Sequence, residues 1–205
     1  YDFPSKWFEV QSNKLTFNGL DLNKLVKKYG SPLKITYLPK IASQINQAVD
    51  HFNKAIINHK YSGKYIYSYC TKSSHFSFVI KKALSAGAQL EISSAYDIIL
   101  IRKLFAQWHI KQDILIICNW YKSDWYLEQI IQLHNEWFTN IICILDNVEE
   151  ISKIDKLVTV WALGIGLRIA TEEEPKSEIY TSRLGIPAKE VIKLYKEKIR
   201  KNKKV

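Results

Sequence analysis

The stretch "YIYSYCTKSSHF", residues 65–76, joins an apolar, aromatic-rich run to a lysine, two serines and a histidine. The run is predicted as a buried strand, because aromatic residues are enriched in strands. A lysine directly after such a strand has two explanations. Lys72 either leaves the core for solvent, which is usual for lysine, or lies in a cleft where its amine does chemistry.

Short apolar runs of this kind alternate with longer helical patterns along most of the chain. The runs predicted as strands are 33–38, 64–70, 89–93, 114–118, 141–145 and 161–170. Helices are predicted at about 40–58, from Phe78 to a stop at Gly87, from Ser94, at about 123–135, from Asp146 and from about Pro187 onward. Nearly continuous apolar strands are typical of parallel sheets covered on both faces. The pattern predicts an α/β fold, either an open doubly wound sheet or a barrel.

A different pattern precedes the α/β body. Residues 1–19 alternate like an exposed antiparallel strand, and a short helix follows that is capped by Asp21 and ended by Gly30. We assign residues 1–19 to the N-terminal strand of a separate β domain and residues 20–205 to a partial TIM barrel. A closed (β/α)₈ barrel has eight strands and typically about 250 residues. With about six of these eight units, the chain is expected to be the front part of a longer protein.

Composition narrows the class of protein. The net charge of +10 has its densest block in residues 194–205, which is typical of a solvated helix end, and no nucleic-acid-binding motif accompanies it. No run approaches the roughly 18 to 20 apolar residues of a membrane span. Cys70, Cys118 and Cys143 end apolar runs, which predicts buried, reduced thiols and a cytoplasmic protein. No paired cysteine or histidine spacing indicates a metal site, and neither nucleic acid nor membrane is a predicted partner.

Polar side chains follow three of the predicted strands. Lys72 follows the second, Glu91 to Ser94 end the third, and Arg168 lies on the sixth. In parallel barrels the chemistry takes place at the carboxyl ends of the strands. A neutral lysine amine in such a place forms Schiff bases with carbonyl compounds, including pyridoxal phosphate. From residue type alone, exposure of Lys72 to solvent is the commoner explanation.

Several motifs together resemble one family. "YSYCTKSS", followed nineteen residues after Lys72 by the acid of "GAQLEISSAYDI", resembles the N-terminal barrel of the fold-type III pyridoxal-phosphate decarboxylases. The lead-in "NGLDLNKLVKKYGSPLKITYLPKI" also resembles the family, as do "IICNWYKS", with Asn119 and Lys122, and "GLRIATEEEPKSEIYTSRLGIP", with Arg168 and Arg183. The resemblance spans roughly residues 15–200, and its segments occur in the family's order.

The resemblance assigns roles to individual residues. Lys72 matches the lysine that binds pyridoxal 5'-phosphate, Glu91 the acid on the next strand, and Asp97 the acid of the following helix. Arg168 matches a basic position near the cofactor. Two positions depart from the family pattern, since Ser74 stands where many relatives have asparagine and Glu91 where they have aspartate. The resemblance implies that Lys72, Glu91 and Arg168 bind the cofactor and that Asp97 is a further contact in the site.

Two of these residues also have structural alternatives. Asp97 follows Ser94 by three residues, which is a capping-box spacing at a helix start. Arg168 could pair with the acids of "TEEE" at 171–174. The family's ring-stacking histidine and glycine-rich phosphate loop have no counterpart, so the chain alone is expected to be inactive. His75 begins a helix, and "GIG" at 164–166 lies within a strand, so neither fills these roles.

The activity implied by the resemblance is decarboxylation of a basic amino acid by a homodimer that binds a small amino-acid substrate. The wording is most similar to bacterial arginine decarboxylases, which convert arginine to agmatine in polyamine biosynthesis. Ornithine, diaminopimelate and carboxynorspermidine decarboxylases stay open as alternatives. A catalytically inactive or regulatory relative and an unrelated α/β binding protein also stay open.

Overall fold

The computed structural model describes residues 2–3, 5, 7–170 and 185–205. Contacts divide the chain into two compact units, Tyr1–Tyr37 and Leu38–Val205. The division made from the sequence, with a separate β domain ending at residue 19, stays a prediction.

The first unit contains a small antiparallel sheet and one helix. Its strands β1 (Phe8–Gln11), β2 (Lys14–Phe17) and β3 (Leu20–Asp21) pair in chain order, and α1 (Leu22–Tyr29) follows directly. The Asp21 side chain accepts a hydrogen bond from the Lys24 amide at 3.1 Å, and Gly30 ends the helix with a φ of 85°. Both predicted ends of this helix are confirmed.

The second unit is built on a parallel sheet. Within the described residues its strands are β4 (Ser68–Cys70), β5 (Gln89–Ile92), β6 (Ile116–Cys118), β7 (Ile141–Leu145) and β8 (Gly164–Leu167), paired in that order. The helices are α2 (Leu38–Asn58), α3 (Ser77–Ser85), α4 (Ala95–Ala106), α5 (Asp124–Asn135), α6 (Glu150–Leu157) and α7 (Ala188–Leu194), with a π-helical turn over Tyr195–Ile199. A doubly wound sheet reverses its strand order at a switch point. The unbroken order here is that of a barrel, and the predicted α/β fold with an incomplete barrel is confirmed.

Helices cover one face of this sheet. Along β7 the residues alternate, with Ile141, Cys143 and Leu145 buried against the helical layer and Ile142 and Ile144 half-buried on the other face. The core therefore lies between the sheet and its helices. The opposite face, which is the inner face of a barrel, is partly open because the five described strands do not close on themselves.

The predicted first barrel strand is wrong. Residues 33–37, all of which are described, form no strand, and α2 begins at Leu38. Pro32 and Pro39 flank the run, and proline contributes no amide hydrogen to a ladder. Ile35 is also exposed. The described parallel sheet thus has five strands, where six were predicted.

The predicted helix start at Asp146 is also wrong. Helix α6 begins at Glu150, because the Asn147 side chain accepts hydrogen bonds from the amides of Glu149 at 3.0 Å and Glu150 at 3.2 Å. Asn147 therefore does the capping. Asp146 is left free for a different partner, Arg168.

The three cysteines are free thiols, with Cys118 and Cys143 buried and Cys70 half-buried. Burial raises the pKa of Cys143 to about 12 and the pKa of Cys118 well above its usual value. Both buried thiols therefore stay protonated near neutral pH. None of the described helices is long and apolar enough to span a bilayer.

Candidate active site

Lys72 lies directly beyond the carboxyl end of β4. The strand ends at Cys70, and a single 3₁₀ turn over Thr71–Ser73 carries the lysine. The Thr71 side chain is buried and donates a hydrogen bond at 3.3 Å to the carbonyl of Glu91 on β5. This bond ties the turn to the neighbouring strand, while Lys72 itself is exposed. No facing strand of the described sheet covers the Lys72 side chain.

An indole lies beside the lysine. The Lys72 Nζ atom is 4.1 Å from the centroid of the Trp120 ring, and the Arg168 Cζ atom is 5.8 Å from it. Trp120 lies in the loop after β6 and adopts a left-handed backbone with a φ of 71°. The ring brings together two side chains that follow strands far apart in sequence.

Glu91 and Asn119 form a polar pair on the inner face. The Asn119 Nδ2 atom donates to Glu91 Oε1 at 3.1 Å, since β5 and β6 are adjacent strands. An open cavity of about 370 Å³ lies over them and is lined by Ser68, Glu91, Ile117, Asn119, Ile144 and Arg168. The predicted cofactor residues Glu91 and Arg168 thus line one cavity.

Cys70 shares this face with Glu91. The two residues are paired in the register of β4 and β5. Burial and the negative charge of Glu91 raise the pKa of the Cys70 thiol. The thiol is therefore protonated near neutral pH. Cys70 is the last residue of β4 and directly precedes the turn that carries Lys72.

Arg168 pairs with a carboxylate of the neighbouring strand end. Its Nη1 atom lies 3.0 Å from Asp146 Oδ1, and the Asp146 side chain is only 5% exposed. The register places Leu145 opposite Leu167, so the residues that follow them are side by side. The alternative partners at 171–174 lie outside the described residues, as does Arg183.

Asp97 is buried in a separate cluster. Its carboxylate accepts hydrogen bonds from the Ser93 amide at 3.1 Å and the Ser94 hydroxyl at 2.9 Å, and His75 Nε2 lies 3.0 Å away. Ser94 is the N-cap residue of α4, but its side chain donates to Asp97 instead of accepting from the helix amides. The contact with His75 joins the helix start of α4 to the segment that follows the Lys72 turn. Sequence reasoning did not give His75 this partner.

A second lysine lies in the same set of loops and is fully buried. Lys122 is 1% exposed, and its Nζ atom donates to the carbonyl of Trp120 at 2.5 Å and to that of Ile144. The Glu150 carboxylate is 3.6 Å from the same nitrogen and also accepts from the backbone amides of Lys122 and Asp146. This pair joins the loop after β6 to the start of α6.

The structure brings Lys72 and Arg168 together at Trp120, and Glu91 and Arg168 together at the cavity. Asp97 is held separately by His75. The roles of Trp120 and Lys122 were not predicted. One signal was present for Lys122, because it directly precedes Ser123, the N-cap of α5, where the helix dipole disfavours a cation. A lysine in that position must be held by other groups.

The fold of this chain is similar to the N-terminal barrel part of amino-acid decarboxylases whose structures have been solved. A diaminopimelate decarboxylase from M. jannaschii, solved in complex with L-lysine, matches with a TM-score of 0.76 and 17% identity over 97% of this chain. A lysine decarboxylase from Selenomonas ruminantium matches with a TM-score of 0.64 and 16% identity over 93% of this chain. At this level of identity the similarity shows the fold alone.

The chain spans less than half of these proteins, namely 45% of the diaminopimelate decarboxylase and 43% of the lysine decarboxylase. No family model matches the chain, and no curated protein matches its sequence.

Proposed function

We propose that this chain provides the lysine side of the active site of a pyridoxal-phosphate-dependent decarboxylase that acts on a basic amino acid. One observation carries the proposal. Lys72 follows a strand of a parallel barrel sheet at its carboxyl end, and Glu91 and Arg168 line a cavity at the same end. This is the end of a barrel at which catalytic groups gather. The fold shared with two amino-acid decarboxylases supports the same activity.

The donor set fits the cofactor's aldehyde and ring. An exposed amine at Lys72 can bind an aldehyde, and the cavity of about 370 Å³ offers the carboxylate of Glu91, the amide of Asn119 and the guanidinium of Arg168. When bound, pyridoxal phosphate supplies an electron sink for the loss of CO₂. Lys72 would hold it by the aldehyde, while Glu91 and Asn119, fixed by their mutual hydrogen bond, would contact it in the cavity. Arg168, fixed by Asp146, would supply positive charge near its anionic groups.

Arginine is the proposed substrate, with agmatine as the product. The support is the wording of "PLKITYLPKI" and "SYCTKSSHF", which resembles arginine decarboxylases. Ornithine, diaminopimelate and carboxynorspermidine stay open as alternative substrates. A homodimer and a cytoplasmic location belong to the same proposal.

A second candidate function follows from the position of Trp120. The centroid of its indole lies 4.1 Å from Lys72 Nζ, and this amine is the group that would react with the cofactor's aldehyde. This arrangement favours a catalytically inactive or regulatory relative, in which the ring occupies the space beside the amine.

Reductive trapping tests the proposal. The protein is incubated with pyridoxal phosphate, reduced with borohydride, digested and mapped by mass spectrometry. We expect a stoichiometric adduct at Lys72, absent in Lys72→Arg. An adduct spread over exposed lysines without preference for Lys72 contradicts the proposal.

Release of CO₂ from arginine, ornithine, diaminopimelate and carboxynorspermidine, measured on the intact protein, then distinguishes the substrates. An adduct at Lys72 of the intact protein without CO₂ release from any of the four favours the inactive relative.

A further inference from the structure

Lys122 is an ionisable side chain that is buried away from water. The side chain is fully buried, and two carbonyl oxygens and a carboxylate surround its ammonium group. A buried charge persists only when such partners replace its water. Two of these partners, the Ile144 carbonyl and the Glu150 carboxylate, belong to the end of β7 and the start of α6. The third is the carbonyl of Trp120, which lies in a loop.

Trp120 adopts a backbone conformation that a bulky residue avoids. Its φ of 71° lies in the left-handed region, which side chains with a Cβ atom rarely occupy. Such a conformation persists when its surroundings impose it. Here the Trp120 amide donates to Asn119 Oδ1 at 2.8 Å, and its carbonyl accepts from Lys122 Nζ. Both polar groups of the Trp120 backbone are therefore held.

The consequence of this backbone conformation is the position of the indole. The ring lies 4.1 Å from Lys72 Nζ and 5.8 Å from Arg168 Cζ. Cations are attracted to the face of an indole. The ring thus occupies one side of the Lys72 ammonium group, while the lysine is otherwise exposed.

We propose that Lys122 is a positioning residue for Lys72. It holds Trp120 in the left-handed conformation, so that the indole covers one side of the Lys72 amine and limits the approach of aldehydes to it. The proposal rests on the proposed function only in taking Lys72 as the reacting amine. The chemistry at Lys72 is then set by a second lysine that touches neither the aldehyde nor Lys72.

Reductive methylation measures the accessibility of each lysine without the cofactor. The folded chain is treated with formaldehyde and cyanoborohydride, and the modification rate of each lysine is followed by mass spectrometry. Trp120→Gly removes the ring and suits a positive φ, so we expect Lys72 to react several-fold faster. Lys122→Met should accelerate Lys72 by a similar factor. In the double variant we expect no further increase, because Lys122 acts through Trp120. Lys111, exposed and remote from these loops, is the internal control.

Lys122→Met leaves Glu150 buried without its cation, so Lys122→Met combined with Glu150→Gln is measured beside it. An unchanged rate at Lys72 in either Trp120→Gly or a folded Lys122 variant overturns the proposal. A further acceleration by Lys122→Met in the Trp120→Gly background, or equal acceleration at Lys111, shows a merely structural role and also overturns it. Unfolding of both Lys122 variants would also show a merely structural role and overturn the proposal.

The two proposals fail separately. A pyridoxal phosphate adduct at Lys72 with unchanged methylation rates contradicts the positioning role alone. The expected methylation pattern without such an adduct contradicts the decarboxylase alone.

Discussion

The loops after β4 and β6 each carry a lysine, and the two lysines have opposite surroundings. Lys72 is exposed, and its closest described partner is the face of an indole. Lys122 is 1% exposed and is enclosed by two carbonyl oxygens and the Glu150 carboxylate. The same residue type at the same edge of the sheet thus serves as an available amine in one loop and as a structural brace in the other. Burial and the number of acceptors, not sequence position, separate the two roles.

The largest effect that we expect is the difference in protein stability between variants of the two lysines. Removing one partner of a buried ion pair costs about 3–5 kcal/mol, because the other charge stays buried and unpaired. We expect Lys122→Met to lower the free energy of unfolding by an amount of that order. Lys72→Met, the matched control, should change it by less than about 1 kcal/mol. Urea denaturation followed by circular dichroism measures both, and equal losses would remove the distinction between the two loops.

The strain at Trp120 should give a smaller effect. A residue with a Cβ atom costs roughly 1–2 kcal/mol in the left-handed conformation, and glycine does not. Trp120→Gly and Trp120→Ala both remove the indole, but we expect the glycine variant to be more stable by about 1 kcal/mol. Thermal unfolding of the two variants under identical conditions tests this. A more stable alanine variant would show that the loop relaxes away from the observed φ of 71°.

The smallest effect should appear at Cys70, on the strand that carries Lys72. Burial and the charge of Glu91 raise the pKa of this thiol. Glu91→Gln removes the negative charge and so should lower that pKa, which increases the thiolate fraction at pH 8. We expect alkylation of Cys70 by iodoacetamide to accelerate a few-fold, while buried Cys118 and Cys143 stay unreactive. A slower reaction in the variant would show that Glu91 does not act on the thiol through its charge.

Much of the fold could be predicted from periodicity. The parallel strands at 89–92, 116–118 and 141–145 lie within their predicted apolar runs, and the ends of α1 follow from Asp21 and Gly30. The strand predicted at 33–38 was wrong because composition alone does not show whether a segment has a neighbouring strand to pair with. Asp146 was wrongly placed as a cap because Asn147, one residue later, competes for the same helix amides.

The candidate site was predicted only in part. Lys72, Glu91 and Arg168 follow from the rule that strand ends meet, but their partners depend on the register between strands. Asp146 meets Arg168 because Leu145 is opposite Leu167, and no pattern along the chain fixes that pairing. The contact of Trp120 with Lys72 depends on a left-handed backbone at a tryptophan, which residue preferences disfavour. The roles of Lys72, Glu91, Asp97 and Arg168 toward a cofactor stay predictions.

The strand order has a consequence for how the chain acquires its structure during synthesis. Each strand of the parallel sheet pairs with the next one along the chain, as Leu90 does with Ile116 and Ile116 with Ile141. Each new strand therefore has its partner in the segment of chain that was synthesised just before it. A nascent chain can therefore add one strand and helix at a time as it leaves the ribosome. Lys72 is synthesised before Trp120, and Trp120 before Arg168. The amine therefore acquires these neighbours only late in synthesis.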